Sequence, residues 1–174
     1  NLKPNERSLK GLFLGFQSPT EVQGVIISHF LYNAVKKFRT ITPIEFRKEL
    51  LAKAESLNLD ESFLSRELNV GFSGGEKKKL EILQMLITKP RIAILDEPDS
   101  GTDIDSLRVI AKAIKEASEK EGIGILLITH HNKILEHLNP DKVHIIKDGE
   151  IIKSGDYQLA QTIEARGYKE IWKQ

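Results

Sequence analysis

The sequence predicts an α/β fold, with a largely parallel sheet as its core and a small helical subdomain inserted into it. Three observations carry this prediction. Short aliphatic runs of strand length alternate with helical patterns, the arrangement that builds a parallel sheet. The run Ile92-Ala93-Ile94-Leu95 is continuously apolar, as a strand covered on both faces should be, and it ends in the carboxylates Asp96 and Glu97. Between the first apolar run and the rest lies a stretch, 20–69, that reads as helical.

Residues 9–16 form an apolar run broken by Gly11 and Gly15, a strand that ends at Gln17 before Ser18-Pro19 breaks the backbone. Val25, Ile26, Phe30, Leu31 and Val35 then recur at helical spacing. Thr42-Pro43-Ile44-Glu45 is a capping box with proline in the first turn. Phe46, Leu50, Leu51, Ala54 and Leu57 continue one apolar stripe. Segment 77–88 reads as a helix with Leu80, Leu83 and Ile87 inward, and 91–95 as a buried strand. Segment 105–120 reads as a helix and 123–129 as a second buried strand. The runs 143–146 and 151–153 flank Asp148-Gly149, a strong hairpin signal. Asp156 is placed to cap a last helix that Gly167 ends. The expected organisation is therefore 1–19 at the edge of the α/β core, 20–70 as the helical subdomain, and 71–174 as the rest of the core.

At 174 residues the chain is long enough for one good core and short for two. Its 26 basic and 25 acidic side chains leave a net charge of +1, so no global field attracts nucleic acid or anionic lipid. Lys77-Lys78-Lys79 reads as a solvated helix face. The aliphatic stretches are too short to span a bilayer, and no insertion into a membrane is expected. The lack of cysteine removes thiolate metal sites and disulfides, and fits a cytoplasmic protein. His29, His137 and His144 show no metal-ligand spacing.

The chemistry concentrates in two places. Phe72-Ser73-Gly74-Gly75-Glu76 opens a helical segment, and a serine followed by two glycines presents backbone N–H groups and a helix dipole to an anion. Taken alone, such a stretch also describes a flexible turn. The second place is Asp96-Glu97-Pro98 at a strand's carboxyl end, where open α/β sheets bind ligands. There Asp96 is expected to reach a magnesium ion and Glu97 a water molecule. One helix and a turn separate the two motifs, which brings both toward one edge of the sheet. The phosphate-cradling loop G-x-x-x-x-G-K-[ST] is missing, since none of the twelve glycines precedes a lysine. The chain is therefore expected to be part of a longer protein, and by itself to bind ATP weakly and be inactive.

These motifs resemble those of the ABC-type ATPases, with Phe72–Glu76 as signature and 92–98 as Walker B segment. Further segments fall in the order that family shows: Gln17 as the Q-loop glutamine, Ser100-Gly101-Thr102-Asp103 as the D-loop, and Thr129-His130 as the switch loop. Thr102 departs from the hydrophobic residue common there, and His131 reads as a solvated loop residue. Within the family the chain is similar to the SufC branch. The carriers are Phe63-Leu64-x-Arg66, Asn69, Gly71, Glu76 in place of glutamine, and Asp99-Ser100-Gly101-x-Asp103-Ile104-Asp105. Lys153-Ser154-Gly155-Asp156 and Gly167-Tyr168 near the end add to it.

The resemblance implies the C-terminal portion of an ABC ATPase nucleotide-binding domain, with a RecA-like parallel sheet and an inserted helical subdomain. It implies that Ser73, Gly74, Gly75 and Glu76 meet ATP held by a second subunit, in an ATP-dependent homodimer contacted through Ser100, Gly101 and Asp103. It implies Mg2+ at Asp96 and Gln17, water activation by Glu97, and a γ-phosphate contact from His130. The partners it implies are SufB- and SufD-like scaffolds on which iron–sulfur clusters form. An ATPase subunit of an ABC membrane transporter would share every one of these motifs.

Overall fold

A computed structural model describes residues 1–130 and 132–167. His131 and Tyr168, both singled out above, lie outside the described residues. The chain divides into two compact units, Asn1–Thr129 and the remainder from His130.

In the first unit, α1 (Pro4–Leu9) leads into β1 (Leu12–Gly15), and β4 (Ile92–Asp96) and β5 (Gly124–Ile128) complete a parallel sheet in the order β1-β4-β5. Between β1 and β4 the chain forms β2 (Val22–Ile26), α2 (Ile27–Val35), α3 (Pro43–Ser56), a 3-10 turn over Glu61–Ser65, β3 (Glu67–Leu68) and α4 (Gly74–Thr88). Helix α5 (Ile104–Glu121) joins β4 to β5. The α/β class and the parallel core are as expected.

Helix α4 is the hub. Leu80, Ile82, Leu83, Met85, Leu86 and Ile87 are all buried, an apolar surface wider than one stripe. The helix packs against α2, α3, α5 and β1, so it ties the helical elements to the sheet. Thr42 caps α3 with the expected box, its hydroxyl accepting from the Glu45 amide while Glu45 reaches back. Asp103 caps α5, and Gly122 ends it in the left-handed conformation.

Three expectations need correcting. Val22–Ile26 is a strand paired antiparallel with β3, where a helix was expected. Val22, Val25 and Ile26 are β-branched and fit a pleated surface, and the helix begins only at Ile27. Its inner face is consequently Ile27, Leu31 and Val35, while Phe30 is exposed. Second, β4 and β5 are not buried at every position of this chain. Ala93 and Leu95 point toward α4 and are fully buried, whereas Ile92, Leu126 and Ile128 are about half exposed. Alternation along each strand sends the second set to the face α4 does not cover. Third, Lys78 is not solvated: it is 2% exposed, on the inner side of α4.

The second unit opens with a short 3-10 turn (Asn132–Ile134) and α6 (Leu135–Leu138). The antiparallel hairpin of β6 (Val143–Lys147) and β7 (Glu150–Gly155) follows, then α7 (Tyr157–Arg166). Asp148 and Gly149 both take positive φ at the turn, as a two-residue hairpin requires. Asp156 caps α7 through the Gln158 amide, and Gly167 follows its last turn.

Candidate functional site

The carboxyl ends of β1 and β4 create the first half of the site. Because Gly15 pairs with Leu95 in parallel register, the residues two positions further on, Gln17 and Glu97, emerge side by side. The Gln17 side-chain amide donates to a Glu97 carboxylate oxygen at 2.7 Å, joining residues far apart in sequence. Glu97 adopts φ +47°, a left-handed conformation uncommon for a residue with a Cβ. Its amide donates to the Ile128 carbonyl at 2.8 Å, and its carbonyl accepts from the Ser100 amide at 3.1 Å, so both neighbouring segments hold it there. Strain of this kind clusters at functional positions.

Helix α4 supplies the second half. Ser73 is its N-cap: the hydroxyl accepts from the Glu76 amide, and both the Ser73 amide and hydroxyl donate to Glu76 at 2.9 Å. These bonds hold the Glu76 carboxyl below the usual glutamate range, the Ser73 amide being the main cause. Gly74 and Gly75 have a packing reason as well as an anion-binding one. A Cβ on Gly74 would stand 2.6 Å from the Gly101 carbonyl oxygen, and one on Gly75 would stand 3.1 Å from the Ser106 hydroxyl. The 100–103 loop thus lies directly against the helix N-terminus of its own chain. Behind it, Arg66 pairs with Glu76 at 3.2 Å and stacks its guanidinium over the Phe72 ring at 4.2 Å and near the Phe63 ring. The sequence pattern Phe63-x-x-Arg66 and Phe72–Glu76 is one physical cluster.

Beneath both halves sits a pair of buried charges that the sequence reading passed over. Lys78 and Glu81 are 2% and 4% exposed. The Lys78 ammonium donates to the carbonyls of Phe16 at 2.8 Å and Asp96 at 3.3 Å, and stands 3.7 Å from the Glu81 carboxylate. Glu81 in turn accepts from the Phe16 amide at 2.6 Å. Burial pushes the Glu81 carboxyl up to about 7, against the opposing pull of Lys78 and the Phe16 amide. A charged residue inside the apolar run Leu80-Glu81-Ile82-Leu83, one turn from a lysine, was the available signal.

Asp99 was read only as part of the family pattern, with no role of its own. It is 5% exposed and both its oxygens accept from the Thr129 hydroxyl, at 3.1 and 3.0 Å, which ties the loop after β4 to the end of β5. The Thr102 hydroxyl, in place of a hydrophobic side chain, donates to the Asp99 carbonyl at 2.7 Å and closes the same turn. Asp103 caps α5 through the Ser106 amide at 2.7 Å. His130 is exposed and opens the second unit directly after Thr129.

Asp96, Glu97 and the Gln17 amide are hard oxygen donors at one edge, and no cluster of three or more His, Cys, Asp or Glu side chains forms a metal cage among the described residues. That set fits Mg2+, which is held by one or two protein groups and keeps waters and phosphate oxygens for the rest.

The family model described as ABC transporter matches residues 15–100, from the end of β1 through the loop after β4. The "Probable ATP-dependent transporter ycf16" of Cyanidium caldarium is 47% identical over 172 residues, covering 95% of this chain and 67% of that protein. The chain belongs to the ABC transporter ATPase family. "Vegetative protein 296" of Bacillus subtilis is 43% identical over 96% of this ABC ATPase chain and 65% of its own length. "ABC transporter I family member 6, chloroplastic" of Arabidopsis thaliana is 43% identical over 98% of the chain and 52% of its own length. The chain thus spans between about half and two-thirds of these relatives. A dimeric ATP-binding cassette solved in a post-hydrolysis state with ADP and Pi shares the fold, with a TM-score of 0.76 at 21% identity over 90% of this chain and 68% of that one. No helix among the described residues is long and apolar enough to cross a membrane.

Proposed function

We propose that this chain is part of a SufC-like ATPase, whose full-length form hydrolyses ATP with Mg2+ to drive iron–sulfur cluster assembly on a SufB- and SufD-like scaffold. The observation that supports the ATPase reading best is the 2.7 Å bond from Gln17 to Glu97 at the carboxyl ends of adjacent parallel strands. It orients a carboxylate toward the edge where ligands of such sheets bind, beside a second carboxylate suited to Mg2+. The SufC branch is supported by the Phe63, Arg66, Phe72 and Glu76 cluster, which makes a pattern seen in the sequence into one interlocked unit.

In this reading Asp96 would hold Mg2+, which would supply neutralising charge to the phosphates when bound. Glu97, steadied by Gln17, polarises the attacking water. The amides of Gly74 and Gly75 and the Ser73 hydroxyl hold the γ-phosphate of ATP gripped by a second subunit. His130 contacts the transferring phosphoryl group. Such catalysis is positioning plus electrostatics, with little covalent chemistry for the protein to perform.

One observation favours a second reading, an ATPase subunit of an ABC membrane transporter: two of the relatives carry transporter names. Two measurements on the full-length protein test the proposal. Glu97→Gln is expected to cut ATP turnover by about a hundredfold or more while ATP and Mg2+ remain bound. Unchanged turnover would remove Glu97 from its role. Affinity capture from lysate is expected to recover a soluble cluster scaffold, and recovery of a multispanning permease would support the transporter instead.

A further inference from the structure

The buried pair Lys78–Glu81 has a geometry that packing alone does not require. Both groups of the Phe16 peptide are taken by it: the amide by Glu81 at 2.6 Å, the carbonyl by Lys78 at 2.8 Å. The same ammonium also donates to the Asp96 carbonyl, 3.3 Å away. Phe16 immediately precedes Gln17, and Asp96 immediately precedes Glu97. The pair therefore holds the main chain just behind each of the two side chains that meet at 2.7 Å.

Local geometry shows how closely the pair is fitted. A Cβ at position 15 would stand 3.2 Å from the Glu81 carboxylate and 3.1 Å from Leu95, so a larger residue would require those side chains to give way by a few tenths of an ångström. The strand end thus lies close against the Glu81 side chain of α4. Lys78 and Glu81 lie on the helix whose first residues are Gly74 and Gly75, about one and about two turns from that N-terminus. Buried charges are a poor source of net stability compared with apolar side chains of similar volume. Their value here lies in direction: three main-chain groups from two strands are aimed at two side chains of one rigid helix.

We propose that Lys78 and Glu81 are positioning residues, which hold the main chain just behind Gln17 and Glu97 and so fix the geometry of that side-chain pair. The inference rests on the ATPase reading for its catalytic consequence, but the clamp itself does not.

The test uses the full-length protein in three arms. Steady-state kinetics on Lys78→Met and Glu81→Ala are expected to show kcat reduced by about tenfold or more, since small misplacements near a reacting centre cost up to about a hundredfold. The KM for ATP should stay within about twofold, because both side chains are buried behind the strand ends. Glu81→Gln keeps an acceptor for the Phe16 amide and is expected to restore most of kcat. Amide hydrogen exchange at Phe16 should quicken in Glu81→Ala and not in Glu81→Gln. If Lys78→Met fails to fold, the double variant Lys78→Met with Glu81→Gln carries no buried charge and reads the same loss of kcat. Folded variants with wild-type kcat, or a Glu81→Gln as impaired as Glu81→Ala, would overturn the proposal. A wild-type protein without ATPase activity would sink the functional reading and the catalytic consequence with it, while the exchange arm would still decide whether the clamp exists.

Discussion

Glu76 and Glu81 stand little more than a turn apart on the same helix, yet their surroundings push them in opposite directions. Glu76 is part of the exposed capping box: the Ser73 amide and hydroxyl and the Arg66 guanidinium all favour its charge, and its carboxyl is held low. Glu81 sits behind the strand ends, and burial outweighs the bonds from Phe16 and Lys78 to raise it to about 7. A helix end open to water makes a carboxylate a good cap. The helix interior makes the same side chain a conditional charge whose state depends on one lysine.

The most forceful way to break this contrast is Lys78→Ala. It leaves Glu81 buried without its cation and deprives Phe16 and Asp96 of a donor, at an expected cost of about 3–5 kcal/mol above pH 8. Urea unfolding would measure it. The cost should shrink at pH 5, where Glu81 takes up a proton. A loss independent of pH would show that Lys78 matters only through packing.

The next prediction concerns the pH dependence of Glu81 itself. Its folded pKa lies above the ordinary value of 4.5, so its contribution to stability is complete below 4.5 and is lost as pH rises through about 7. The loss amounts to about 3 kcal/mol at most. Lys78 from its own helix, the Phe16 amide from the end of β1 and Asp96 from β4 all face the group, the first two opposing the shift and the last adding to it. Glu81→Gln should flatten the stability profile between pH 5 and 8, and an unflattened profile would place the titrating group elsewhere.

The smallest effect is expected at Glu76. Its carboxyl is lowered, so its contribution is present above the ordinary glutamate pKa and lost as pH falls below it. Because the side chain is 37% exposed, solvent screening limits Glu76→Gln to about 0.5 kcal/mol at pH 7. Thermal unfolding of the pair of variants would place Glu76→Gln well below Lys78→Ala, or else deny that burial separates the two ends of α4.

Much of this was legible in the chain. Local patterns announced the capping box at Thr42, the helix start at Ser73, the Asp148-Gly149 hairpin, the Asp156 cap and the strand ending in Asp96, because each depends on bonds within a few residues. Gln17 and Glu97 were both singled out, though nothing in their spacing showed that they touch. Where the reading failed, long-range contacts decided. Val22–Ile26 became a strand because β3 offers it a partner, and the apolar periodicity there also suits a helix.

The sequence by itself determined the α/β class, the main elements from Ser73 onward and the residue types at the site, since these follow from periodicity, caps and turn chemistry. Tertiary structure alone decided which lysine of Lys77-Lys78-Lys79 turns inward, that Ala93 and Leu95 are the fully buried positions of β4, and that Gly74 is required by the Gly101 carbonyl as well as by any anion. The physical reason is burial. A charge run looks solvated until a neighbouring strand end removes its water and supplies carbonyls in exchange, and only the packed chain brings the strand ends after Gly15 and Leu95 to the same side of α4.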